Sequence, residues 1–475
     1  MEHNNSNDFS ENISQNISQN ISQQNSNSKK FRLDPQYIYQ VGGAIRDKLL
    51  KTKPKDIDYV VVHYGVDDML KAGFFQVGRE FPVFIHPKTK CEYALARIER
   101  KNGVGYRGFE FVVGKNISIE DDLRRRDLTI NAMAQNVKTK KIIDPYGGRK
   151  DLRNKTLRHV SEAFAEDPVR ILRLARFSAR YVDFSIAPET IELAQKLVNI
   201  GEVKHLSTAR VWIEISRSLK ERRPSKFFVF LQSIKALEDI SPLLINLPKK
   251  NMQFSWNFLD STEKKFSYQQ QFCILLTIII FELYIYNLQI KIKNNVIINK
   301  NNAEVFAIFY QWIDIICENF GVPLSYKKTA VLYFKALESI SIPQDFFIMQ
   351  NNITMQEKFI NAENLKNYVV NDFFKSANKI LNFFDKLDFY RRKDAILEIL
   401  PVINLFLNYL LNRIFSAENS INIDFGNKMQ NIFDLYDAEF NASTIAKTLQ
   451  NEGKSHLIKQ ILQEEKLKFF SQKLV

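Results

Sequence analysis

A chain of 475 residues is long enough for two to four domains and a large buried core, and its 45% hydrophobic and 25% charged content is that of a soluble globular protein. A formal net charge of +14 points to a polyanionic partner, nucleic acid first. Three cysteines, Cys91, Cys273 and Cys317, are too few and too scattered for a disulfide framework and fit a reducing compartment.

The first thirty residues are polar throughout, with tandem NISQ units, and predict a disordered low-complexity tail without the apolar core of a signal peptide. From about Tyr37 to Val113 the pattern predicts strands at YIYQV, DIDYVVV, FFQVG, FPVFIH, EYALARI and FEFVVG, with one short helix at AIRDKLL. Helix is predicted from Ser118 through SIEDDLRRRDLTINAMA, with Ser118 as N-cap above an acidic first turn. Beyond DPYGGRKDL the chain reads as almost wholly helical to its end, with helix starts at Asp167-Pro168 and at Ser443, the latter stopping at Gly453. The longest apolar run, Phe272 to Tyr286, is shorter than the roughly twenty residues a membrane span needs and predicts a buried helix. The fold class expected is α+β: a mixed-sheet head followed by helices. The location expected is the cytoplasm.

Four stretches carry chemistry. In QVGGAIRDKLL a strand runs into Gly42-Gly43 and then a helix, a turn where backbone can approach a phosphate and Arg46, one turn in, can reach it; a plain Gly-Gly turn has the same sequence. In KPKDIDYVVV, Asp56 and Asp58 sit two residues apart at the entrance of a strand and therefore project from one face. Their repulsion asks for a cation between them, a lysine or a metal pair; two Mg²⁺ ions there would activate a hydroxyl nucleophile and neutralise a leaving pyrophosphate. In RRRDLTINAMA, Arg124 to Arg126 end a helix, either as solvated cations favoured by the helix dipole or, for Arg126 beside Asp127 and an apolar segment, as something more specific. In EDPVRILRLARF, Asp167 is followed by Arg170 and Arg173 at steps of three on one helix face. That arrangement is either an N-cap with a Glu166–Arg170 ion pair or a carboxylate–guanidinium edge. Such an edge pairs with the amino group and ring nitrogen of cytosine and adenine and rejects uracil and guanine.

Taken together and in this order, VGGAIRD, KDIDYVVV, RRDLTINAMA, DPYGG and EDPVRILRLARF resemble the class II tRNA nucleotidyltransferases, the CCA-adding enzymes of the superfamily shared with bacterial poly(A) polymerases. The resemblance covers roughly Tyr37 to Leu219, and the stretch from Gly73 to Phe111 is more similar to the CCA-adding branch than to the polyadenylating one. Beside the low-complexity tail at 1–30, it implies a catalytic head at 31–160, a base-selecting helical neck at 161–240 and a tRNA-binding helical body and tail at 241–475. It further implies Asp56 and Asp58 as catalytic ligands of two Mg²⁺ ions, and Gly43 and Arg46 as triphosphate contacts. Nucleotide binding by Arg126, Arg170 and Arg173 is implied as well, with Asp167 and Arg170 templating the base, and Arg97 to Phe109 falls where the family has a mobile loop. The partners implied are the tRNA 3′ end, CTP and ATP; no membrane is expected and no protein partner can be inferred. Relatives of this branch commonly carry an HD phosphohydrolase domain, but no histidine lies between residues 206 and 455, and QQQFCILLTIIIFEL is apolar where the His-Asp pair would sit. The rivals are a poly(A) polymerase, a CC-adding or A-adding specialist, and a catalytically silent RNA-binding protein.

Overall fold

The computed structural model describes residues 31–77, 83–101, 109–248, 252–262, 266–293, 302–340, 372–414, 424–451 and 454–473. The NISQ tail, most of the expected mobile loop and the Gly453 helix stop lie outside the described residues. The chain divides into two compact units, one formed by residues up to 178 with 183–205, the other by 179–182 with 206 onward. The stretch expected to form the neck thus contributes to both.

The first unit is built on a seven-stranded sheet of order β3-β4-β5-β2-β1-β8-β9. Its strands are β1 (Ile38–Val41), β2 (Asp58–Val61), β3 (Phe75–Val77), β4 (Val83–Ile85), β5 (Glu92–Leu95), β8 (Ala134–Asn136) and β9 (Ile142–Ile143). Only β2 and β5 run parallel; the remaining neighbours are antiparallel. Alternation in the YVVV stretch loads both faces. Val41, Val60 and Val62 pack with Ile119 and Leu123 of helix α3 (Ile119–Arg124), while Val61, Phe84 and Leu95 pack with Met69 of helix α2 (Val66–Lys71). Helix α1 (Gly43–Leu49) follows β1 directly, and β6 (Arg97–Lys101) with β7 (Phe109–Val113) forms a separate antiparallel hairpin.

The helix expected from Ser118 begins there: Ser118 Oγ accepts from the Asp121 amide and Asp121 returns the bond to the Ser118 amide. It stops at Arg124, however, well short of the expected Ala134. Arg125 and Arg126 turn back onto the Asp122 carboxylate, a 3₁₀ turn takes Thr129–Asn131, and β8 joins the sheet beside β1. The expectation of an almost wholly helical chain beyond DPYGGRKDL is corrected too. After helix α4 (Gly148–Arg153), β10 (Thr156–Leu157) pairs in parallel with β11 (Ser185–Ile186), and helix α5 (Val169–Arg180) runs between them. Helix α6 (Pro188–Asn199) comes after β11.

Among its described residues the second unit is helical. Its central helix α11 (Tyr268–Lys293) follows α7 (Thr208–Ser218), α8 (Ser225–Ser233), α9 (Ala236–Ile240) and α10 (Gln253–Ser261). It holds the predicted apolar run. The stretch Tyr268–Leu288 is long and apolar enough to cross a membrane, yet it is packed inside the unit, as a core helix is. Trp212 and Phe272 meet edge to face, Phe281 packs on Phe309 and Phe406, and the buried Glu282 carboxylate accepts from Ser255, whose hydroxyl also bonds Tyr409. Near the C-terminus Asn441, not Ser443, accepts the Thr444 amide that opens the helix Ala442–Asn451. Cys91, Cys273 and Cys317 are free thiols.

Candidate active site

The sheet register sets the site. Val41, the last residue of β1, stands opposite Asp58, the first residue of β2, so the carboxylate lies where the chain leaves the sheet for the Gly42-Gly43 turn. Gly42 has φ 68° and ψ −133°, a region closed to side-chain-bearing residues. A Cβ there would also meet Arg126 Nη1 at 2.8 Å, and one on Gly43 would meet Arg46 Nη2 at 3.1 Å. The glycines therefore permit two guanidiniums to lie against the turn. Asp56 precedes β2 and is exposed.

Electrostatics single out this corner. Asp58 is exposed as a residue, but neighbouring atoms partly desolvate its carboxyl and push it above its ordinary value; the Arg126 charge pulls it down, and the Asp56 charge pushes it up again. Arg126 Nη2 donates to the buried Asp122 carboxylate at 3.1 Å, while its Nε is buried with no acceptor among the described residues. Arg46 is buried, donates from Nη1 to Asn131 Oδ1 at 2.5 Å and from Nε to Asp47 at 2.9 Å.

The fourth group of predicted residues lies at and on helix α5. Asp167 Oδ1 accepts the Val169 amide at 3.2 Å and so caps α5, as one of the two expected arrangements requires. Arg170 is buried and donates to the Ala163 carbonyl. Arg173 points its Nε and Nη2 at Asp127 Oδ2, at 2.8 and 2.7 Å. Burial alone would raise the Asp127 carboxyl, but the Arg173 charge and the hydrogen bonds from Asn131, Arg173 and the Leu128 amide hold it far below the ordinary range. Gly43, Arg46, Arg126 and Asp58 thus gather around the turn, Arg173 joins them through Asp127 and Asn131, and Asp167 and Arg170 stand at the start of α5. Arg124 lies apart, exposed in a cleft of about 620 Å³ that it shares with Asp121, His159, Ser161 and Glu166.

Sequence reasoning passed over Asp122, Asp127, Asn131 and Phe177. One signal was available: a carboxylate entering an apolar segment, as Asp127 does before LTINAMA, needs a cation or several donors when it is buried.

Likeness to known proteins agrees with this geometry. Residues 38–158 match the poly A polymerase head domain, a domain of the nucleotidyltransferase superfamily, whose enzymes generally use divalent metal ions. Within that superfamily the likeness is to the CCA-adding branch. The chain is 55% identical over 215 residues to the multifunctional CCA protein of Cupriavidus metallidurans, covering 44% of this chain and 52% of that one. It is 56% identical over 205 residues to that of Aromatoleum aromaticum, covering 43% and 50%. The chain therefore spans about half the length of the curated relatives it matches. In fold it is similar to the Bacillus stearothermophilus CCA-adding enzyme in complex with CTP (TM-score 0.51, 15% identity, 92% of this chain and 93% of that one). It is likewise similar to a tRNA-processing enzyme with CTP (TM-score 0.50, 22% identity, 91% and 96%).

Proposed function

We propose that this chain adds or repairs the 3′-terminal CCA of tRNA from CTP and ATP, without a nucleic-acid template, releasing pyrophosphate. The observation that carries the proposal is the placement of the Asp58 carboxylate, two residues after Asp56, at the mouth of a glycine turn against which Arg46 and Arg126 lie. A protein that only bound RNA would have no use for two repelling carboxylates there.

The paired carboxylates suit hard, oxygen-seeking cations, because they offer only oxygen donors and a cation between them relieves their mutual repulsion. Asp56 and Asp58 would hold two divalent ions, Mg²⁺ in this proposal, which supply charge neutralisation at the attacking hydroxyl and the leaving pyrophosphate. The chain's own residues do the rest. Gly43 and Arg46 grip the triphosphate, with the Arg126 guanidinium beside them at the turn. Asp167 and Arg170 present the acceptor and donor that cytosine and adenine complete, with Arg173 beside them on α5. The terminal ribose oxygen bonds to the α-phosphorus as the bond to the β-bridging oxygen breaks. Residues 31–160 serve as catalytic head, 161–240 as base-selecting neck and 241–475 as the part that holds tRNA. These substrates fit a cytoplasmic protein.

The test is incorporation of labelled CTP and ATP into tRNAs ending before, within and after the CCA. Two cytidines followed by one adenosine, and none on a complete end, is the expected result. Long adenosine tracts with ATP alone, addition of only C or only A, or no addition at all would each replace the proposal with one of its rivals.

A further inference from the structure

We infer that Asn131 and Phe177 are positioning residues that tie the phosphate-side arginine, Arg46, to the selector-side arginine, Arg173, so that the two grips on the nucleotide set one another; the inference rests on the nucleotidyl-transfer proposal above. Asn131 is 6% exposed and its carboxamide is used from both ends. Oδ1 accepts from Arg46 Nη1, and Nδ2 donates to Asp127 Oδ1 at 3.0 Å. The second Asp127 oxygen accepts both donors of Arg173. Guanidinium, amide, carboxylate and guanidinium thus form one chain of hydrogen bonds from the glycine turn to the selector helix. Phe177, one turn after Arg173, closes it. Its ring centroid lies 5.5 Å from Arg46 Cζ, 5.9 Å from Arg173 Cζ and 4.8 Å from Arg176 Cζ.

The residue types are those that such a link demands. A carboxamide can accept from a cation on one side while donating to an anion on the other, and here the two neighbours leave it one orientation. A carboxylate at position 131 would face Asp127 and repel it. An aliphatic side chain would leave a buried cation and a buried anion each one bond short. A ring face attracts several guanidiniums without fixing their in-plane angle, so Phe177 holds both arginines near one centre while Asn131 sets their orientation. Because buried polar networks move as units, a triphosphate drawing on Arg46 displaces the partner that steadies Arg173.

The experiment measures equilibrium binding of CTP, ATP and UTP to the full chain carrying Asn131→Ala or Phe177→Leu, with amide exchange to show that each variant is folded. Loss of either link should weaken CTP and ATP by about tenfold and lower the CTP-over-UTP preference by about tenfold as well, because both grips loosen together. A role in packing alone would leave the preference of the folded protein unchanged. Folded variants with parental affinities, variants that lose affinity while keeping the preference, or failure of both variants to fold would each overturn the inference. Addition of C and A to tRNA by the parental chain is scored separately, so a failed function proposal and a failed coupling give different results.

Discussion

Substituting alanine at Gly42 and at Gly43 separates backbone strain from loss of grip. At Gly42 the backbone sits at φ 68°, ψ −133°, and a side chain there costs about 1–3 kcal/mol. The new Cβ also falls 2.8 Å from Arg126 Nη1, so that guanidinium must move off the turn. At Gly43 φ lies outside the left-handed range, and the clash is 3.1 Å to the tip of Arg46, a group that can give way. Gly42→Ala should therefore lower the stability of the first unit by about 2 kcal/mol, speeding exchange of the most protected β1 and β2 amides about 30-fold. Gly43→Ala should change that exchange by less than about threefold. Both should weaken CTP binding, Gly42→Ala by moving the Arg126 guanidinium off the turn and Gly43→Ala by shifting the Arg46 tip a few tenths of an ångström without breaking its bond to Asn131. Hydrogen exchange read at Val60 and Val61, beside a CTP titration, checks both halves. Equal destabilisation by the two alanines, or parental protection in Gly42→Ala, would refute the reasoning.

Asp56→Ala or Asp58→Asn should abolish nucleotide addition while leaving tRNA binding nearly intact; turnover within about tenfold of the parent sinks the two-metal assignment. Asp167→Ala should admit UTP or GTP in a four-nucleotide competition, and strict selection of C and A by that variant would leave Asp167 a helix cap and nothing else. Asp122 and Asp127 are held below their ordinary value of 3.8, so their contribution to stability is complete above that pH and is lost as the pH falls through their lowered values. Asp127→Asn should flatten the acid limb of amide protection in the first unit, and an unchanged limb would show that the Arg173 pairing is idle. Asp58 runs the other way: its raised carboxyl should lose divalent ions at a pH above 3.8, which a metal titration against pH measures. Purified full-length protein should not hydrolyse 2′,3′-cyclic nucleotides with nickel or magnesium, and activity lost on deleting residues 241–475 would reveal a second site.

Much of the head was legible because its signals are local. The YVVV alternation, the Gly-Gly turn after an apolar strand and the acidic turn after Ser118 each act within a few residues. The end of helix α3 was not legible in that way. Nothing between Arg124 and Ala134 forbids a helix; the chain leaves it because Asp127 is claimed by Arg173, 46 positions downstream, and because Ala134–Asn136 pairs with β1. A helix read by periodicity cannot register a partner so distant. The two-residue strands β9, β10 and β11 escaped for a similar reason, since a pairing that short owes its existence to the neighbour it finds. At the site the carboxylates and arginines were visible as types, whereas the amide and the ring that link them carry no charge to draw the eye.

The division into two units has an optical consequence. All three tryptophans, Trp212, Trp256 and Trp312, belong to the second unit, while the residues proposed to grip the nucleotide belong to the first. Tryptophan emission is therefore a native reporter placed wholly in the helical unit. If CTP changes that emission, the signal has crossed from one unit to the other, and its amplitude measures how far binding in the head is felt by the helices without any label being attached.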